Sequence, residues 1–113
     1  MNVVFHVSSG TEPEVRHALA NVSNLLDDET VETESVTLLA NGDAVSYFLG
    51  ESPVADRIES LLGDGVRCRV CQNSLDTRAV DAASLVEGVE VVPSGVGELV
   101  KRQASGNAYL KVP

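Results

Sequence analysis

Val66-Arg67-Cys68-Arg69-Val70, followed at once by Cys71-Gln72-Asn73-Ser74-Leu75, decides how the rest of the chain is read. In the first five residues Val66, Cys68 and Val70 alternate with Arg67 and Arg69, the two-residue period of a strand with one apolar face. Beyond Cys71 the apolar residues Leu75, Ala79 and Val80 recur at i, i+4 and i+5, which is helix spacing. Cys71 therefore lies where a strand hands over to a helix, with Asn73 or Ser74 available as the N-cap. A thiol there meets free backbone N–H groups and the positive end of a helix, and both favour the thiolate. The plain alternative is that an unpaired cysteine is simply a small buried hydrophobe.

The alternation of strand and helix extends in both directions. Asn2 to Ser8 is a β-branched run that reads as a buried first strand, broken by Ser8-Ser9-Gly10. Thr11 and Glu14 offer a capping box, Pro13 suits the first turn, and Val15, Leu19, Val22 and Leu26 form the apolar stripe of a helix. The acidic run from Asp27 to Glu34 reads as a solvated connection. Ser35 to Ala40 is a second strand ended by Asn41-Gly42-Asp43, and Val45, Phe48 and Leu49 fit a short helix after it. Val54, Ile58, Leu61 and Leu62 share a helix face closed by Gly63. Past the central stretch, Asp81 can cap a helical turn, Val89 to Val92 is a fourth strand, and Ser94 opens a last helix carrying Val96, Leu99, Val100 and Ala104. Ala108 to Val112 is a fifth strand.

Strands and helices alternating at these lengths predict an α/β fold, with a mainly parallel five-stranded sheet and helices on both faces. Ligands of such sheets bind beyond the carboxyl ends of the strands. That edge gathers Ser8-Ser9-Gly10, Asn41-Gly42-Asp43, Cys71-Gln72-Asn73 and Ser94-Gly95, in an order the sequence leaves open.

Composition narrows the function classes. A chain of 113 residues with 43 % hydrophobic residues is read as one domain, residues 1–113, with its own core. No apolar run nears the roughly 20 residues a membrane-spanning helix needs. The start at Asn2-Val3-Val4-Phe5 lacks a basic region and an apolar signal core, so a cytoplasmic, thiol-reducing setting is expected. The net charge of −9 repels phosphates and anionic lipid, which sets aside nucleic-acid and membrane partners. An acid-rich surface with Lys101 and Lys111 as its lysines suits concentrated salt, a halophilic reading of environment rather than of activity.

Cys68 and Cys71 have the CxxC spacing of redox and zinc sites. In an extended strand, however, their Cα atoms stand about 10 Å apart, beyond the roughly 7 Å limit of a disulfide. There is no second cysteine pair for a Cys₄ zinc site. No metal and no cofactor is expected, and Cys68 reads as core. Arg67 and Arg69 fall on the Cys71 side of the sheet, where their charge would favour its thiolate unless surface acids pair with them. Ser94, Gly95 and Gly97 place two glycines in a first helical turn, at up to about 1 kcal/mol each relative to alanine. Close packing accounts for that, or an anion at the helix start. His6, in mid-strand, reads as a hydrogen-bonded core histidine.

Cys71-Gln72-Asn73-Ser74-Leu75, then Gly88-Val89-Glu90-Val91-Val92-Pro93-Ser94-Gly95-Val96-Gly97-Glu98-Leu99, and then Gln103 and Ala108-Tyr109-Leu110 together resemble the DsrE/DsrF-like family. Asn21 and Asn24 in the first helix and Asn41-Gly42 after the second strand belong to the same likeness. The resemblance implies a three-layer α/β/α sandwich, homo-oligomers that are often trimers or hexamers, and a place in sulfur relays. In those relays one cysteine carries sulfur as a persulfide between donor and acceptor proteins. Carried over, that cysteine is Cys71, supported by Arg69, Gln72, Asn73 and Ser74. The expected function is thus a small sulfur carrier or sulfurtransferase. The alternative is a ligand-binding or regulatory module of the same fold without covalent chemistry, and an exposed, acidic Cys71 would separate the two.

Overall fold

In the computed structural model, which describes residues 1–113, strands and helices alternate as β1 (Asn2–Val7), α1 (Glu12–Asp27), β2 (Ser35–Ala40), α2 (Ala55–Gly63), β3 (Arg67–Cys71), α3 (Gln72–Thr77), β4 (Glu90–Val92), α4 (Gly95–Ala104) and β5 (Ala108–Val112). Two 3-10 turns, Gly42–Phe48 and Ala82–Ser84, fill the longer connections. The five strands form one sheet in the order β4-β3-β2-β1-β5, parallel throughout. From β1 to β4 each strand is laid beside the last in one direction. The chain then returns across the sheet to place β5 beyond β1. Right-handed crossovers require the outward helices on one face and the returning helix on the other, and the packing agrees. Residues of α1, α2 and α3 share a core with Val3, Phe5 and Val7, whereas Leu99 of α4 meets Val4 and Leu39 on the opposite face.

The two layers differ in weight. On the α1–α2 face 23 buried residues form one cluster, including Leu19, Leu38, Phe48, Ile58 and Leu75. On the α4 face the buried apolar cluster is Val4, Leu39 and Leu99. Each fully buried aliphatic side chain is worth ~1.5–3 kcal/mol, so the first layer carries most of the apolar stabilisation. The second adds polar links. Arg69 of β3 pairs with Glu98 of α4, and Arg102 Nε lies 3.5 Å from the same carboxylate.

Several local expectations shift. The helix after β3 begins at Gln72, so Cys71 is itself the N-cap residue, in place of Asn73 or Ser74. Ser74 is unavailable because its Oγ accepts from the Gly42 N–H at 2.8 Å. Thr11 stands at the N-cap of α1 but makes no side-chain cap; its hydroxyl donates to Glu14 at 2.9 Å instead. Gly63 is the last residue of α2, and the left-handed turn beyond it is made by Gly65, at φ +93°. At Asp81 the expected cap forms, and Ser94 makes one as well. Asp81 accepts from the Ala83 N–H, and Ser94 accepts from the Gly97 N–H at the start of α4.

Candidate functional site

Because every strand runs the same way, the loops after β1, β2, β3 and β4 lie along one edge of the sheet. Their contacts knit them together. A methyl group on Gly10 would strike Asp43 Cβ at 2.7 Å, the Gly42 N–H reaches Ser74, and Gly95 packs on Asn41 and Cys71. Within that edge β3 leads into α3 on one face while β4 leads into α4 on the other. The gap between the ends of β3 and β4 is thus a topological switch point, the place where open α/β sheets form crevices. Cys71 ends β3 there, beside Val92 of β4.

The two cysteines of β3 face opposite ways. Cys68 points into the large core, and burial pushes its thiol up to about 12. Cys71 points toward α4. Burial pushes its thiol up as well, but the Ser74 hydroxyl and the backbone N–H groups of Gly95, Ser74 and Asn73 outweigh that and hold it below its ordinary value. Ser74 is set for this task. Its oxygen is occupied as acceptor by Gly42, which leaves its O–H to donate toward the sulfur. The N–H of Gly95 reaches the sulfur because α4 starts against the sheet: a methyl group on Gly95 would lie 3.1 Å from Asn41 Cβ, 3.2 Å from Cys71 Cβ and 3.3 Å from Leu39 Cδ1. Contacts that tight are open only to glycine. The same approach covers the thiol, and Cys71 is 5 % exposed. It is therefore acidic in direction but sheathed, not the exposed thiol that the sequence reading had looked for.

The other sequence-derived residues divide. Ser74 and the backbone of Asn73 address the sulfur. Gln72 turns away along α3 and donates to Asp76 at 2.7 Å. Arg69 shares the face of Cys71, but its guanidinium pairs with Glu98 and, at 3.9 Å, with Glu90. Its charge is met there, and its part in the site is to fasten α4 over β3. Ser94 caps α4, occupying the Gly97 N–H. With that group taken and the Gly95 N–H turned to Cys71, the helix start serves the thiol, and packing is what requires Gly95. A methyl group on Gly97 would meet Ser94 Cβ at an ordinary 3.5 Å, and nothing in the structure requires glycine there.

A hydrogen-bonded chain that sequence reasoning did not assemble runs into the site from the side. His6 of β1 meets Tyr109 of β5 through Nδ1 at 2.7 Å and Asn41, just past β2, through Nε2 at 2.7 Å. Burial, with Lys111 nearby, holds His6 below its ordinary value despite the Asn41 bond, which favours the neutral ring. The three residues come from three adjacent strands, and the strand order that joins them is what the sequence withheld. The available signal was the position of Asn41 at a strand's carboxyl end.

The sizeable cavities lie elsewhere. One of about 380 Å³ between α1 and β5 is lined by Asn21, Asn24, Leu25 and Leu110 among others. No three His, Cys, Asp or Glu side chains converge where they could hold a metal ion, and no helix is long and apolar enough to cross a membrane.

Fold and site together define a parallel α/β protein with a sheathed, acidified cysteine at the switch point of its sheet. The chain belongs to the DsrE/DsrF-like family, whose model matches residues 1–112. It is similar to the solved structure of a protein of unknown function, MTH1491, from Methanobacterium thermoautotrophicum, at 36 % identity over 97 % of both chains and a TM-score of 0.90. The ychN protein from E. coli matches over 98 % of this chain and 99 % of its own, at 23 % identity and a TM-score of 0.78. BT1422 from Bacteroides thetaiotaomicron matches over 96 % of this chain and 94 % of its own, at 16 % identity and a TM-score of 0.67. These last two likenesses establish the fold alone. No protein with a curated description matches the chain.

Proposed function

We propose that this protein is a small cytoplasmic sulfur carrier that accepts sulfur as a persulfide on Cys71. The observation that carries the reading is the division of labour within β3. One cysteine is sealed in the core with its thiol raised, and the other is held below its ordinary value by Ser74 and three backbone N–H groups. The Cys71 thiolate attacks the outer sulfur of a donor persulfide R–S–SH. A bond forms between Cys71 Sγ and that sulfur, the donor S–S bond breaks, and its electron pair leaves with R–S⁻. The proton stays on the transferred sulfur until water takes it. Sulfur changes hands with no net oxidation, so the step needs no cofactor.

Donor and acceptor would be proteins of the same relay, docking at the carboxyl edge. Homo-oligomerisation, as a trimer or hexamer, is part of the proposal. Val96 and Val100, 64 % and 66 % exposed, lie one turn apart on α4, and Tyr109 and Leu110 are exposed on the edge strand β5. Phe48, one of the chain's few aromatic residues, is fully buried and takes no part.

The sheath over Cys71 favours a second reading, a binding module that never exposes the thiol, and one experiment separates them. The reduced protein is offered inorganic polysulfide and mapped by mass spectrometry, with limited iodoacetamide labelling in parallel. Sulfur and label are both expected on Cys71. Cys71→Ser should abolish uptake with the fold intact. Cys68→Ser should retain uptake and lose about 1–3 kcal/mol of stability, by placing a hydroxyl in the core. Labelling of Cys68 first, or none before unfolding, would leave the binding module as the answer.

A further inference from the structure

Resting on the carrier reading, we infer that Asn41 holds the transferred sulfur on Cys71, and that His6 and Tyr109 are positioning residues acting through it. The direction of each hydrogen bond follows from what each atom can do. Asn41 Oδ1 is a carbonyl oxygen and accepts, so His6 Nε2 carries the hydrogen. The neutral ring then offers Nδ1 as an acceptor, and Tyr109 Oη donates to it. The chain therefore runs Tyr109 to His6 to Asn41 and fixes which way the Asn41 amide is turned. Its far end is unspent. Asn41 Nδ2 donates to no group of the protein and is not among the buried polar atoms that lack a partner, so it is open to solvent and free to donate.

On the carrier reading, the outer sulfur extends beyond Cys71 into the neighbourhood that Asn41 shares with it. Asn41 Cβ and Cys71 Cβ flank the same point beside Gly95, 3.1 Å and 3.2 Å from where a methyl group there would sit. The resting thiol sulfur is already served by Ser74 and the N–H groups of Asn73, Ser74 and Gly95, and Asn41 is not among its partners. A persulfide reaches one S–S bond further, and its outer sulfur carries the negative charge once ionised. Donors around the inner sulfur are then badly placed, whereas an amide held at the rim with two free hydrogens is well placed. Hydrogen bonds to a charged acceptor are about twice as strong as neutral ones. The chain spans three adjacent strands on the thinly packed face, where an apolar trio would have filled the space at no polar cost. Its use is to aim one amide.

The test follows the lifetime of bound sulfur. The protein is loaded with inorganic polysulfide, and the loss of Cys71-bound sulfur to cyanide is timed as thiocyanate release. Each rate is divided by the rate of iodoacetamide alkylation of the unloaded thiol, which removes general effects on Cys71. Asn41→Ala is expected to shorten the normalised lifetime by about ten-fold or more. Asn41→Asp keeps the oxygen that His6 binds but lacks the amide hydrogens, so it should lose as much while retaining the fold. Tyr109→Phe is expected to give a smaller loss, and in the Asn41→Ala background no further loss. Lifetimes within two-fold of the unsubstituted protein in both Asn41 variants would overturn the inference. So would Tyr109→Phe acting additively with Asn41→Ala, since it would then not work through Asn41. If the unsubstituted protein takes up no sulfur, the carrier reading falls, and this one with it.

Discussion

On the face covered by α1 and α2, 23 buried residues interlock; on the face covered by α4, three do, and the remaining attachment is an ion-paired triad of Arg69, Glu98 and Arg102. The chemistry-bearing groups all lie on the second face. Cys71, Asn41, His6 and Tyr109 point toward it, and Cys68, three residues before Cys71 and so on the opposite side of the strand, points away. A layer held by polar pairs and a small apolar cluster opens at lower free energy than a dense core. On the proposed carrier reading, the contrast supplies the way a thiol sheathed at rest would be reached: what covers it is the less firmly held layer.

The comparison breaks or stands first on core truncation, where the largest effect is expected. Leu19 is fully buried in the larger cluster, and Leu19→Ala should cost about 2–5 kcal/mol. Leu99, 7 % exposed in the smaller one, should cost less as Leu99→Ala, at or below the low end of that range, because its rim can collapse and rehydrate. Equal shifts of the denaturation midpoint would mean that α4 is docked as firmly as α1. Hydrogen exchange should agree, with α4 amides protected less than those of α1.

A second prediction uses the paired cysteines and alkaline pH. The thiol of Cys68 ionises near 9 when unfolded and near 12 in the fold. Between those values the unfolded chain has lost a proton that the folded chain keeps, so stability falls as pH rises, by ~1.4 kcal/mol per pH unit from this residue alone. Cys71 has the opposite sign. Its folded value lies below the unfolded one, so its contribution is present at high pH and is lost as pH falls through the folded value. The decline above pH 9 should therefore be shallower in Cys68→Ala than in the unsubstituted protein and unchanged in Cys71→Ala, whose missing contribution shows instead as a lost rise in stability just below pH 9. Identical slopes in both variants would mean that the two thiols do not differ as the faces require.

How much of this was legible from sequence differs between the two faces in the same way. Period-2 alternation in β3 separates Cys68 from Cys71 without any structure, and the apolar stripes read along the chain name the helical side of the large core, Val15, Leu19, Val22, Val54, Ile58 and Leu61. Those signals are local. The site depends on which strands are neighbours, and nothing in the spacing of His6, Asn41 and Tyr109 says that β1 lies between β2 and β5. Charge was equally opaque. Arg69 is two residues from Cys71, but its partner Glu98 is 29 residues on, and only the packing of α4 shows that the guanidinium is spoken for. Ser74 illustrates the same limit. As a cap candidate it had one use, and the approach of Gly42 gave it another.

The smallest effect, and the sharpest on the α4 face, is a difference between two glycines of one helical turn. Alanine favours a helix over glycine by up to about 1 kcal/mol, and neither Gly95 nor Gly97 has the positive φ that would forbid it. Gly97→Ala brings its methyl group no nearer than 3.5 Å to Ser94, so it should stabilise by a few tenths to about 1 kcal/mol and leave Cys71 reactivity alone. Gly95→Ala gains the same propensity but forces a methyl group within 3.1–3.3 Å of Asn41, Cys71 and Leu39. Asn41 and Cys71 offer Cβ atoms fixed to backbone, which cannot swing aside as a flexible side-chain end can. The start of α4 must therefore lift, at about 1–3 kcal/mol, and its N–H leaves the sulfur. Net destabilisation with a raised Cys71 thiol is expected, read from the midpoint and from the pH at which alkylation reaches half its maximal rate. A Gly95→Ala protein as stable as Gly97→Ala, with an unshifted alkylation profile, would show that α4 is not pressed against the thiol and that the sheath is looser than the contacts describe.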